Sequence, residues 1–178
     1  MAGTSARRCR PKSTATSHCK SGTIARMNVF HLLRSLARRR KAKPIAEKIA
    51  KVISAASGLP FFLKHDENQL ISKDDFVRAY LYGTISCAMT RFDLRGKLET
   101  KGYTIDETFE RLVPGMGANL VDACNEKVEA GDKEFKRAAS IGFEEMKHVL
   151  EALDSKGEKV KTLESLRAHL VRMPFVRE

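Results

Sequence analysis

Tryptophan is missing from this 178-residue chain, and proline and glycine are scarce, at 5 and 11 residues. Few backbone breakers, with Ala, Leu, Lys, Arg and Glu abundant, favour helix over strand. No apolar run approaches the roughly 20 residues needed to span a bilayer. The longest uncharged stretch of interest, AYLYGTISCAMT between Arg78 and Arg91, stops well short, so no transmembrane insertion is expected. VFHLL is likewise too short for the apolar part of a secretory signal. Paired cysteines are lacking too, because Cys9, Cys19, Cys87 and Cys124 show neither a CxxC nor a zinc-knuckle spacing. Cys87 and Cys124 fall in helical patterns as small buried hydrophobes, and Cys9, His18 and Cys19 lack a fourth metal ligand. Reduced thiols and a cytoplasmic protein are the expectation.

Negative charge is absent from the start of the chain. The first acidic residue is Glu47, and 12 cations precede Pro44, leaving 21 cations against all 22 acids in the remainder. The formal charge of +11 therefore belongs to the amino-terminal quarter. With 42% hydrophobic and 31% charged residues and a mean hydropathy of −0.35, the balanced remainder suits a packed core.

What is present is a basic stretch, RSLARRRKAK, which gathers Arg34, Arg38, Arg39, Arg40, Lys41 and Lys43. These six are the candidate anion or nucleic-acid contacts, able to release counterions from phosphates but without interleaved aromatics for base stacking. An acid-free, Arg-rich, Ser/Thr-rich segment containing an amphipathic helix also fits a mitochondrial-type transit peptide. A start at Met27, with residues 1–26 an upstream extension, is grouped with that reading, and a merely solvated helix is the third.

Residues 1–26, with eight Ser or Thr and no aliphatic periodicity, read as a disordered tail. Residues 27–43 read as a basic amphipathic helix capped at Asn28, with Val29, Phe30, Leu33, Leu36 and Ala37 on one side. Pro44 marks a break, and residues 44–178 form an all-α, helical-bundle-like domain of about five to seven helices. The periodicity predicts helices over 44–57, stopped by Gly58, and over 73–91, opened by Ser72 with Asp75. The second of these is apolar over so wide a face that it should be central. A further capping box at Thr104 and Glu107 starts a short helix, and another runs over 117–130. Gly131 and Asp132 serve as stop and cap before a helix over 132–153, and a last helix spans 162–172. Phe135, Ala139, Gly142, Met146, Val149 and Leu153 make a heptad seam on the 132–153 helix, with Ala139 and Gly142 small enough for a second helix to approach closely, in the core or in another subunit.

Catalytic constellations are sparse. Glu145 and His148 have the Glu-x-x-His spacing of a bundle di-iron ligand pair, but the second pair is missing. GMGANL, residues 115–120, begins like a dinucleotide fingerprint and ends in Leu120 where the third glycine belongs. Residues 97–112 outline a helix-turn-helix with Gly102 as the turn and Thr104 as the cap. Its recognition helix would present Asp106, Glu107 and Glu110 to phosphates, which repels rather than binds. With no Walker sequence, GxSxG elbow or HExxH pair, the expected function is a non-enzymatic helical module that binds a protein partner. No cofactor or metal is expected. The alternative is a nucleic-acid-binding regulator using 34–43, with or without the helix-turn-helix, and the third is a small helical enzyme or cofactor-binding bundle lacking a recognisable motif.

Overall fold

A computed structural model describes residues 21–61, 63, 68–91, 98–114, 120–155 and 161–173. Among them the chain is all-α: α1 Ser21–Ser57, α2 Asn68–Lys73, α3 Asp75–Arg91, α4 Leu98–Leu112, α5 Leu120–Glu129, α6 Lys133–Asp154 and α7 Glu164–Arg172, with one 3-10 turn at Leu59–Phe61 and no strand. None of these helices is long and apolar enough to cross a membrane. The chain divides into two compact units, Met1–Arg34 and Ser35–Glu178. Of the first, only backbone helix over 21–34 is described; it takes in residues 21–26 of the segment read as a disordered 1–26 tail and runs through Asn28, which therefore does not open the helix, whereas residues 1–20, with Cys9, His18 and Cys19, and the side chain of Arg34 lie outside the described residues.

The second unit holds the core. α3 lies at its centre, with ten of its seventeen residues buried, including Tyr80, Leu81 and Ile85 at no exposure. A helix apolar on all sides must be surrounded, and α3 is. α6 lies along it so closely that a Cβ on Gly142 would overlap the backbone carbonyl of Tyr80, and one on Gly83 that of Ala139. The Thr84 hydroxyl donates to the carbonyls of Tyr80 at 2.8 Å and Gly142 at 3.3 Å, satisfying a polar group inside this contact. The seam on α6 thus faces α3 in the same chain. Phe135, Gly142, Met146 and Val149 are buried as expected, but Ala139 is only half-buried beside buried Ala138, and Leu153 is 47% exposed while Ala152 is buried. A straight helix drifts by about 20° per heptad against a 3.5-residue repeat, so a strict heptad reading slips out of phase over three turns.

Local punctuation follows the sequence. Gly58 at φ 66° ends α1, its N–H donating to the Ser54 carbonyl at 3.1 Å, and Gly131 at φ 77° follows α5. Asp132 caps α6 by accepting from the Phe135 N–H at 3.0 Å. The long central helix is capped by Asp74 rather than Ser72: Asp74 accepts from the Val77 N–H at 2.8 Å, whereas Ser72 still belongs to α2.

Two expected breaks do not occur. α1 runs straight through Pro44, which is exposed, because the buried stripe Ala42, Ala46, Ile49, Ala50, Ile53 and Ala56 keeps helical phase across it. Ala42 carries this stripe ahead of Pro44, and the proline still disfavours the helix interior by roughly 3 kcal/mol. α4 likewise passes through Gly102, so residues 97–112 do not form a helix-turn-helix. Thr104 caps nothing: its hydroxyl donates to the Thr100 carbonyl at 2.8 Å, and Thr108 repeats this toward Thr104 at 2.6 Å. Glycine in a helix costs only about 1 kcal/mol relative to alanine, less than burying Ile105, Phe109 and Leu112 returns.

Candidate functional site

α1 and α4 line a concavity between them, with residues just ahead of Pro44 on one side and just after Gly102 on the other. Leu36, Arg39, Arg40 and Lys43 project from α1, and Tyr103, Asp106, Glu107 and Glu110 from α4, around an open groove of about 580 Å³. Both sets follow the i, i+3, i+4, i+7 spacing that lines one helix face. Each set begins with an apolar or aromatic residue and continues with three charges of one sign. The Arg39 guanidinium lies over the Tyr103 ring, 5.0 Å from its centroid. Eight residues further along both helices, the charge of Arg111 reaches Glu47 and helps hold its carboxyl below the usual range, after the larger effects of the hydrogen bond and charge of Lys51. Since both pairings advance together, α1 and α4 run parallel. At about 1.5 Å per residue, the stretch from Leu36 to Lys43 is about 10 Å long.

The groove is therefore polarised two ways: apolar to charged along its length, cationic to anionic across it. Asp106 is a half-buried acid of its anionic wall. Burial pushes that carboxyl above its ordinary value, Asp122 adds to the effect, and the Val121 N–H and the Arg39 charge act against it. Asp106 accepts from the Val121 N–H at 3.3 Å, which places it at the start of α5 as well as in the groove wall. Glu107 is paired with Arg111 at 3.0 Å. The basic stretch is divided by this arrangement. Arg39, Arg40 and Lys43 line the groove, Lys41 is exposed and is not among its lining residues, and Arg38 is half-buried with interactions of its own.

Other polar clusters have structural duties. Glu145 is engaged by the Tyr80 hydroxyl at 2.5 Å, by the Ser165 hydroxyl, and by the Ser165 N–H at 3.3 Å, so it caps α7, whose own cap residue Leu163 offers no side-chain acceptor. His148 is exposed, and the Glu-x-x-His pair is not assembled as one site. His169 contacts Asp74 at 3.1 Å and stacks on Phe76, joining α7 to the start of α3. Cys87 and Cys124 are buried free thiols whose pKa burial raises, that of Cys124 to about 12. Among the described residues, no three His, Cys, Asp or Glu side chains converge as metal ligands. The glycines of GMGANL fall outside the described residues.

Comparison with family models, curated proteins and solved structures finds no match to this chain. The groove therefore has to be read from its own chemistry. Its cations and the acids of α4 are each visible in the sequence, but no local pattern joins them. The available signal was the shared spacing, Leu36/Arg39/Arg40/Lys43 against Tyr103/Asp106/Glu107/Glu110.

Proposed function

We propose that this chain is a non-enzymatic helical interaction module that docks a protein partner in the groove between α1 and α4. The observation that carries this reading is the pairing of a cationic wall with an anionic wall beside Leu36 and Tyr103. Protein surfaces carry both charge signs and apolar anchors, so they can answer all three features at once. A nucleic-acid backbone can answer only one, and its phosphates would meet Asp106, Glu107 and Glu110 directly opposite the arginines. The nucleic-acid reading retains support from the 12 cations ahead of Pro44 and from exposed Lys41. A cytoplasmic location, with a mitochondrial-type organelle as the alternative, goes with the free thiols and the basic leader respectively.

The test is affinity capture from native extract with full-length protein, the charge reversal Arg39→Glu/Arg40→Glu/Lys43→Glu, and the charge-matched control Lys133→Glu/Lys136→Glu/Arg137→Glu on an exposed face of α6. Nuclease-resistant partners should be retained by wild type and control and lost from the groove variant. Equal retention by both variants rejects the groove as the docking site, and nuclease-sensitive capture favours the nucleic-acid reading.

A further inference from the structure

We infer that the occupant of the α1–α4 groove is an extended peptide segment of a partner protein, carrying an apolar residue followed within a few positions by adjacent side chains of opposite charge. This rests on the reading of the groove as a docking site and adds the chemistry of what docks.

The shape of the groove selects the backbone conformation. Its walls are parallel helices about 10 Å long in the lined stretch, which matches about three residues of extended chain at about 3.3 Å each. An extended strand sends successive side chains to opposite sides, so two neighbouring residues address the two walls separately. A helix would be poorly matched, because neighbours on a helix are splayed by about a third of a turn and oppositely directed pairs lie on its far faces.

Charge selects the residues. An acidic side chain faces Arg39, Arg40 and Lys43, and the basic side chain next to it faces Asp106, with Glu107, already paired with Arg111, beside it. Arginine gives the cationic wall planar donors suited to a carboxylate. Raising the Asp106 pKa by burial signals a carboxylate that gains from a cation brought beside it, which the basic residue supplies. The apolar residue belongs at the other end, against Leu36, which is 47% exposed, beside the Tyr103 ring that Arg39 covers. A peptide of one charge sign meets repulsion from one wall whichever way it lies, so the groove discriminates by sign pattern rather than by net charge.

The experiment uses full-length protein and fluorescein-labelled nonapeptides in a glycine, alanine and serine background, each with one leucine and an adjacent Glu-Lys pair separated from it by one, two or three residues. At least one probe should give a saturable anisotropy rise. Replacing either charged residue of that probe with alanine should weaken it tenfold or more, as should Arg40→Glu or Tyr103→Ala in the protein. Arg40→Gln, whose exposed position leaves folding untouched by circular dichroism, should weaken it less than Arg40→Glu. Absence of saturable binding by all three probes, or tighter binding of an all-glutamate probe or of duplex DNA, overturns the proposal. If the probes fail while partner capture stays sensitive to the groove reversal, the occupant chemistry alone is wrong. If capture is insensitive as well, the docking site itself is wrong.

Discussion

Two helix pairs in this protein solve opposite problems. α3 and α6 meet backbone to backbone, with glycines at 83 and 142 and the Thr84 hydroxyl bonded inside the contact. α1 and α4 leave a groove between charged faces, with Leu36 exposed in its wall. The first pair shows what a seam looks like when small residues let two backbones meet, and the second what remains when the facing helix surfaces carry long charged side chains. Small residues close a gap; long charged residues on both sides hold one open.

Several substitutions test that contrast, the largest effect first. Gly142→Val should remove about 3 kcal/mol or more, because the added carbons meet the Tyr80 backbone and not a movable side chain; urea denaturation of the purified protein reads this directly. A loss under 1 kcal/mol would mean that the two helices are not in backbone contact. In α1 the opposite sign is expected. Pro44→Ala should stabilise by about 1–3 kcal/mol, since it restores an N–H and a good helix former inside a continuous helix at an exposed position. A neutral or destabilising result would indicate that the chain breaks there after all, and the groove would lose its cationic wall.

Tyr80→Phe probes the polar border of the tight pair. Deleting its hydroxyl should cost about 1–2 kcal/mol at neutral pH, as Glu145 loses one of its donors. Its pH dependence carries a sign. Burial, then the bond to Glu145 and its charge, raise the Tyr80 pKa above the ordinary value of 10.0. The folded protein therefore holds this proton more tightly than the unfolded chain. The resulting stability is present in full below the ordinary tyrosine value and is lost progressively as pH rises above it. Thermal melts should fall more steeply above that value in wild type than in Tyr80→Phe.

The smallest effect belongs to the groove. Asp106→Asn keeps an acceptor for the Val121 N–H while removing a charge that burial disfavours, so stability at neutral pH should change by less than about 1 kcal/mol and not fall. Because the folded-state pKa is raised, protonation favours the fold, and any advantage of the amide should shrink as pH drops through the raised pKa toward the ordinary value of 3.8. Chemical melts of both proteins across acid pH would show the two curves converging. A marked destabilisation would make Asp106 part of the structural frame rather than of a contact surface.

Much of the helical frame was legible in the order of residues. Gly58 and Gly131 end helices with positive φ, Asp132 caps α6, and the wide apolar circumference of α3 foretold a central helix. The seam on α6 was readable in its middle, at Gly142, Met146 and Val149, and slipped at Leu153, where drift over successive turns exceeds what a fixed repeat can follow. The groove was not legible. Its walls lie more than sixty residues apart, and their shared spacing becomes meaningful only once α1 and α4 are known to be unbroken and parallel.

The sequence by itself determined that this protein is helical, where most helices stop, and that positive charge gathers ahead of Pro44. Those features depend on backbone dihedrals, capping bonds and composition within a few residues of each other. Only the tertiary structure decided that α1 continues through Pro44, that α4 continues through Gly102, and that the arginines of one face the carboxylates of the other. A proline or glycine in a helix costs about 1–3 kcal/mol, a sum that local sequence weighs as a break and that only tertiary burial of the adjoining apolar residues, Ala46 to Ala56 in α1 and Ile105 to Leu112 in α4, can offset.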